Sequence, residues 1–162
     1  MKTQEQDKKV IGFYSTCGDL LHTGHLAAIQ ESAMNCDYLM VGLICDPTDR
    51  PTKHKPVESV FERYMRLASN KWIDEVIPLQ GEEDLDLALA TLPIDVRFLG
   101  EEYRDKNFTG KKTCEERGIK CHFLSRYHSL SSSSLRERAY EAEKKLHEEV
   151  GVDEPVLVSV KL

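Results

Sequence analysis

Five short apolar runs, separated by stretches with helical spacing, constrain the fold of this chain more than any other feature. They are residues 10–14, Tyr38–Ile44, Glu75–Leu79, residues 95–99 and Lys120–Leu124. The second run is apolar at nearly every position, which is typical of a strand covered on both faces of a parallel sheet. Helical segments between the runs favour right-handed strand–helix–strand units. The sequence therefore predicts an α/β, doubly wound domain with a five-stranded, mainly parallel sheet.

Helices are expected over residues 24–36, from residue 57 or 58 to residue 69, from the acidic segment 81–84 to residue 91, and over Ser132–Val150. In the second helix, the predicted buried face consists of Val60, Phe61, Tyr64, Leu67 and Ala68. The domain is expected to span residues 10–150. A polar extension precedes it at 1–9, and the apolar tail 151–162 is interpreted as an edge strand or a dimer contact.

Charge and composition exclude several classes of protein. A net charge of −6 argues against binding to nucleic acid, whereas the basic residues between positions 50 and 71 favour a small anionic ligand. No apolar run is long enough to cross a bilayer, and the N-terminus lacks a signal-peptide pattern, so we expect a cytoplasmic protein without a membrane partner. The five cysteines contain no C-x-x-C pair, which predicts free thiols.

A histidine-containing segment follows the first predicted strand and opens the first predicted helix. It contains Asp19, His22, Gly24 and His25. The start of a helix offers unpaired N–H groups and a positive dipole end to a phosphate, and the histidines add mobile charge on one helix face. A lone histidine there is more often a surface or capping residue, but the joint pattern favours a phosphate site.

Residues 19–25, Asp-Leu-Leu-His-Thr-Gly-His, resemble the HxGH signature of the small nucleotidyltransferases, and specifically of the cytidylyltransferase family. That resemblance implies a Rossmann-like fold in which His22 and His25 are catalytic and contact the nucleotide phosphates. It also implies nucleotide contacts by Asp19, Gly24 and the preceding residues. Those preceding residues are Thr16, Cys17 and Gly18, which stand where the family usually has Gly, Thr and Phe.

Two further segments extend the resemblance along residues 9 to 137. Residues 99–103, Leu-Gly-Glu-Glu-Tyr, resemble the family's M-G-D-D-W turn, which implies nucleotide contacts by Gly100, Glu101 and Glu102. Residues 126–136 resemble the R-T-x-G-I-S-T-T-x-I-[KR] signature. That signature implies a catalytic Arg126 and phosphate contacts by Ser131, Ser132 and Ser133. Serines at a helix start also serve as N-caps, so simple capping is the alternative for them.

The expected acceptor site follows from a resemblance to the glycerol-3-phosphate cytidylyltransferases, carried by Lys55, Arg63 and residues 72–78. It implies that Arg63 and Lys71, with Asp46, bind the acceptor. A mobile lysine of the family reaches the nucleotide phosphates, and both Lys53 and Lys55 are candidates for it.

The resemblance implies transfer of CMP from CTP to a phosphorylated small alcohol such as glycerol 3-phosphate, with release of pyrophosphate. Mg²⁺ is expected to accompany the triphosphate, with Asp19 or Asp46 as a candidate ligand, and a homodimer is expected. Two alternatives stay open: an adenylyltransferase that uses ATP, and a non-catalytic nucleotide-sensing module.

Overall fold

The computed structural model describes residues 8–48, 55–125 and 130–150. It contains one five-stranded sheet with the order β3-β2-β1-β4-β5, in which every pairing is parallel. The strands are β1 (Ile11–Thr16), β2 (Tyr38–Ile44), β3 (Glu75–Leu79), β4 (Val96–Gly100) and β5 (Lys120–Leu124). The predicted α/β class and doubly wound sheet are confirmed. β1 and β4 end one or two residues later than predicted.

In the part of the chain that the structure describes, four helices join consecutive strands and a fifth follows β5: α1 (Thr23–Ala33), α2 (Val60–Ala68), α3 (Glu82–Thr91), α4 (Lys111–Arg117) and α5 (Ser132–Val150). A short 3-10 helix, Glu101–Tyr103, follows β4. Helix α4 is not predicted by the sequence pattern. Its only buried residue is Cys114, and its bounds are set by Gly110 and Gly118, both in the left-handed region. A short, polar helix that buries one side chain has no apolar periodicity to detect.

The sheet is covered on both faces, as a doubly wound arrangement requires. Phe13 of β1 packs with Leu85 and Leu89 of α3 on one face, while Phe98 of β4 packs with Ile29 and other residues of α1 and α2 on the opposite face. Since each strand contributes alternate side chains to the two layers, its central residues are nearly all apolar.

Helix α2 departs from the predicted burial pattern. Leu67 is fully buried as expected, but Phe61 is 71% exposed, whereas Arg63 is only 2% exposed. The Arg63 guanidinium donates hydrogen bonds to the carbonyl oxygens of Ile44 at 2.8 Å and Cys45 at 2.7 Å, beyond β2. It also donates to the carbonyls of Cys17 and Glu58. The charge is tolerated because these carbonyls replace the lost water.

The carboxyl ends of the strands form the edge that carries the site. Thr16, at the end of β1, pairs with Leu43 of β2, and Gly100, at the end of β4, pairs with Leu124 of β5. The chain leaves β1 towards β2 on one side and later returns to β4 on the other. Doubly wound sheets bind ligands in the crevice at such a reversal.

Three further predictions concern the cysteines, membrane-spanning segments and the two ends of the chain. The five cysteines are free, as predicted. In the parts of the chain that the structure describes, no helix is both long and apolar enough to cross a bilayer. Residues 1–7 and the tail 151–162 lie outside the described residues, so the interpretation of the tail stays a prediction.

Replacing Arg63 by lysine should destabilise the protein by about 3 kcal/mol, because one ammonium cannot reach carbonyls arranged around a planar guanidinium and leaves buried acceptors unpaired. Urea unfolding followed by circular dichroism measures this change. Arg66→Lys is the matched control, since Arg66 is half exposed and forms an ion pair with Glu58. Equal stability of the two variants would contradict the role assigned to Arg63.

Candidate active site

Two adjoining cavities, of about 860 and 340 Å³, open at the carboxyl edge of the sheet. The larger lies over the ends of β1 and β4, and the smaller lies against the start of α1. Both are lined by residues from four parts of the chain, namely Tyr14, His25, Gly100, Glu102, Ser132 and Ser133. The structure therefore brings the histidine segment, the turn after β4 and the serine segment to one place.

His22 and His25 form a capping box at the start of α1. His22 is the N-cap residue, and its Nδ1 accepts a hydrogen bond from the Gly24 N–H at 3.0 Å. The backbone N–H of His22 in turn donates to Nδ1 of His25 at 3.4 Å. The two ring centroids are 4.1 Å apart. The histidines thus fill the positions that serine and glutamate usually fill in such a box.

This box fixes the tautomer of both rings in their neutral form. Because each Nδ1 accepts a hydrogen bond from the backbone, the proton of the neutral imidazole resides on Nε2, which becomes a donor. Burial, and then the neighbouring His22, lower the pKa of His25 to about 4. His25 is therefore neutral at pH 7, which corrects the expectation of mobile charge on this ring. What it offers a phosphate is an oriented N–H group.

Asp19 ties the loop after β1 to two helices. Its carboxylate is 5% exposed, and Oδ1 accepts hydrogen bonds from the N–H groups of Val57 at 2.9 Å and Glu58 at 3.0 Å. Oδ2 pairs with the Arg136 guanidinium, and the Asp19 carbonyl accepts the Ser132 hydroxyl at 2.8 Å. Both carboxylate oxygens already have partners, so Asp19 does not fit the predicted role of magnesium ligand.

The loop between β1 and α1 has an unusual backbone. Gly18 has φ +65° and Leu20 has φ +49°, both in the left-handed region. The Thr16 hydroxyl accepts the Gly18 N–H at 3.1 Å, and Thr16 and Cys17 line the larger cavity. Glycine at position 18 is suited to this φ, and a Cβ there would lie 3.4 Å from Leu67. Glycine at this position is therefore compatible with the left-handed backbone of the loop.

The three predicted serines have different positions: one caps helix α5, and all three line a cavity. The Ser131 hydroxyl accepts the N–H of Ser134 at 3.1 Å, as an N-cap does, although Ser131 also lines the smaller cavity. Ser132 donates to Asp19, and Ser133 is an exposed residue that lines both cavities. Capping thus accounts for the local bond of Ser131, and the start of α5 faces the cavities.

Only one of the two glutamates after β4 lines the cavities. Glu101 pairs with Arg104, whose guanidinium lies over the Phe123 ring at 4.7 Å. Glu102 lines both cavities, and its carboxylate occupies the space that a side chain at position 100 would need. A side chain at position 100 would therefore displace the Glu102 carboxylate, and Glu101 is not brought to the predicted nucleotide contact.

The predicted acceptor residues do not converge on the cavities. Arg63 is engaged by the protein's own carbonyls, which corrects its predicted contact with the acceptor. Lys71 precedes β3 and therefore lies at the amino edge of the parallel sheet, opposite the cavities, with its Nζ 5.0 Å from the Trp72 ring centre. Its predicted acceptor contact is wrong for that reason.

The remaining predicted residues lie near the rim of the larger cavity or outside the residues that the structure describes. Asp46 follows β2, and hydrogen bonds from Thr48, with a smaller contribution from Lys55, lower the pKa of its carboxyl group. Lys55 is exposed next to Pro56, which lines the larger cavity. Lys53 and Arg126 lie outside the described residues. Their predicted contacts with the nucleotide phosphates stay predictions.

Sequence reasoning missed two arginines that line the larger cavity, Arg97 and Arg136. Arg136 is the last residue of the serine signature and forms the ion pair with Asp19. Arg97 lies in β4, inside an otherwise apolar run. A charged residue in the middle of a buried strand is the signal that could have identified it.

Comparison with known proteins identifies the family to which this chain belongs. The model of the cytidylyltransferase-like family matches residues 13–138, and the chain belongs to that family. Its members are nucleotidyltransferases, and the site described above lies within the matched segment.

Among curated proteins, the bifunctional protein HldE of Acidiphilium cryptum (strain JF-5) is 36% identical over 110 residues, which cover 67% of this chain and 22% of HldE. The chain thus spans under a third of the curated relatives that it matches.

Two solved structures are similar in fold. A lipopolysaccharide core biosynthesis protein from Thermoplasma volcanium GSS1 has a TM-score of 0.63 at 24% identity, covering 75% of this chain and all of the other. A pantothenate synthetase from Thermus thermophilus has a TM-score of 0.54 at 16% identity, covering 88% of this chain and 70% of the other. At these identities the likeness concerns the fold alone.

NMR should show that His25 stays neutral well below pH 6. We expect the ring resonance that disappears in His25→Gln to titrate with a midpoint of about 4, against the ordinary value of 6.5. The unfolded chain binds a proton in this interval that the folded chain does not, so the free energy of unfolding should fall as the pH decreases from 6.5 towards 4. Half-protonation near pH 6.5 in the folded protein would contradict the assignment.

Proposed function

We propose that this chain transfers a nucleotidyl group from a nucleoside triphosphate to the phosphate of a small phosphorylated alcohol and releases pyrophosphate. The observation that carries the proposal is the His22–His25 box, which presents two fixed imidazole donors beside the start of α5. CTP is the proposed donor, and an alcohol phosphate of the glycerol 3-phosphate type is the proposed acceptor.

In this reaction an oxygen of the acceptor phosphate attacks the α-phosphorus, and the bond to the pyrophosphate breaks on the opposite side. Such a transfer depends on positioning and on stabilising negative charge on the phosphoryl oxygens. The Nε2–H groups of His22 and His25 supply oriented donors for this charge. Arg136 contributes positive charge within the same cavity.

The proposed roles of Lys55 and Arg126 concern the leaving pyrophosphate. Lys55 lies at the rim, where a long side chain can reach a triphosphate in the cavity. Mg²⁺ enters the proposal only as the counter-ion of that triphosphate, whose own oxygens and bound waters are its usual ligands. A homodimer is also proposed, supported by the exposed apolar side chains of Val57, Phe61 and Met65.

The choice between CTP and ATP depends on the base subsite after β4. Glu102 and Gly100 line both cavities there, and the family model is described as cytidylyltransferase-like, which favours CTP. ATP is the second candidate, because the name of the HldE relatives does not specify which nucleotide they use. In addition, Glu101 forms an ion pair with Arg104, so it does not contribute to the choice of base.

His22→Ala and His25→Ala should each lower the rate of pyrophosphate release about a hundredfold or more, the usual effect of removing one preorganised donor. His22→Asn keeps a good N-cap but shortens the side chain, so it should preserve stability and still lose activity. His147→Ala on α5 is the control, since its ring pairs with Glu143 outside both cavities. Nucleotide binding by a wild type that releases no pyrophosphate with any acceptor would favour a sensing module.

Thermal-shift titrations with CTP and ATP test the donor. We expect the larger increase in melting temperature with CTP at equal concentration, because binding to the folded state raises stability with the ratio of ligand concentration to Kd. Glu102→Gln should reduce the difference between the two nucleotides. A larger shift with ATP overturns the choice of CTP and leaves nucleotidyl transfer as the proposed reaction.

A further inference from the structure

Arg97 is a buried cation whose role neither the fold nor the proposed transfer step explains. It is 3% exposed and lies in β4, on the face of the sheet covered by α3 and α4. Nη1 donates to the Thr109 carbonyl at 2.5 Å and lies 3.9 Å from the Cys114 sulfur. The Phe108 ring centre is 5.2 Å from the guanidinium carbon. These contacts hold one side of the guanidinium in place.

The Nε atom on the other side of the guanidinium has no acceptor. It is buried without a hydrogen-bond partner, and Arg97 forms no ion pair within residues 8–48, 55–125 and 130–150. Two carboxylates of α3 are bound by hydroxyls instead: Glu82 accepts from Thr109, and Asp86 accepts from Thr113 at 2.6 Å. The edge formed by Nε and Nη2 is the fork that binds carboxylate or phosphate through two parallel hydrogen bonds.

The Cys114 sulfur lies on the occupied side of the guanidinium. A hydrogen bond from Cys121, and then Arg97 itself, lower the pKa of Cys114 to about 6. The sulfur lies at Nη1, so it does not occupy the Nε/Nη2 edge. A buried guanidinium N–H without an acceptor is costly, which favours an anion that completes the set.

Arg97 also has access to the site. It lines the larger cavity together with Tyr103, Asn107 and Thr109, and the same cavity extends to His25. An anion on Arg97 and a nucleotide phosphate on the histidines would therefore occupy one continuous space. The polar side chain of Asn107 at this end suits the hydroxyls of a small polyol.

We propose that Arg97 binds the phosphate of the acceptor substrate through its Nε/Nη2 edge. This inference rests on the proposed nucleotidyl transfer and assigns to β4 the acceptor site that Arg63 and Lys71 do not form. It makes the acceptor a small phosphate monoester, because a fork that binds two oxygens leaves a third to attack the nucleotide.

Arg97→Gln and Arg97→Lys test this assignment. Arg117→Gln is the matched control, since Arg117 also donates to backbone carbonyls, those of Leu89 and Leu92, without lining either cavity. Isothermal titration measures binding of inorganic phosphate, glycerol 3-phosphate, phosphoethanolamine and phosphocholine, and separately of CTP and ATP. Steady-state rates of pyrophosphate release give KM and kcat for whichever ester reacts.

We expect the wild type to bind at least one phosphate ester, and Arg97→Gln to weaken that binding about 30-fold or more, as for loss of charge-assisted hydrogen bonds. Nucleotide affinity should be unchanged, and KM for the ester should rise more than kcat falls. Arg97→Lys keeps the charge and should still bind the ester about tenfold more weakly. If Arg97→Gln does not fold, the Arg97→Lys result decides.

Three results would overturn the inference: no ester or phosphate binding by the wild type, unchanged ester binding by Arg97→Lys, or weakened binding of the nucleotides instead of the ester. The last result would assign Arg97 to the triphosphate. Arg97-dependent ester binding without pyrophosphate release from any donor would support the phosphate site and contradict the proposed transfer, so the two failures are distinguishable.

Discussion

The candidate site depends on one buried carboxylate, that of Asp19. Its oxygens accept the first N–H groups at the approach to α2 and pair with Arg136 of α5, while its carbonyl accepts the Ser132 hydroxyl. Three segments that are far apart in the sequence therefore meet at a residue that lies just before the histidine box. A residue with both carboxylate oxygens so occupied is a positioning residue, and its presence in the signature is explained without a metal.

Arg63 complements Asp19 with the opposite sign of charge. It joins the carbonyls that follow β1 and β2 to the start of α2, so the loops at the carboxyl edge are held by one buried cation and one buried anion. The resemblance to the glycerol-3-phosphate cytidylyltransferases implied that this arginine binds the acceptor phosphate. Here the backbone carbonyls at strand ends supply the negative partners, which a sequence does not display.

The sheet and the histidine site were predictable because their signals are local. Continuous apolar runs define buried strands, and His22, Gly24 and His25 are close together in the sequence. The position of Lys71 at the amino edge was not predicted. The sequence does not show which edge of a sheet a turn occupies until the strands are known to be parallel. Arg97 was missed because its unpaired Nε is a feature of the folded chain alone, and α4 because it buries a single cysteine.

A neutral imidazole at position 25 still offers an α-phosphate a fixed hydrogen-bond donor. An interaction lowers the barrier only where it is stronger in the transition state than with the bound triphosphate. An Nε2–H donor fixed by the capping box gains more as the phosphoryl oxygens accumulate charge in the cavity, and it needs no rearrangement at that moment. The burial that lowers the pKa of His25 and the hydrogen bonds that orient its ring therefore have one origin, the fold of the chain at the start of α1. Arg136 and Arg97 carry full positive charges and line other parts of the same cavity.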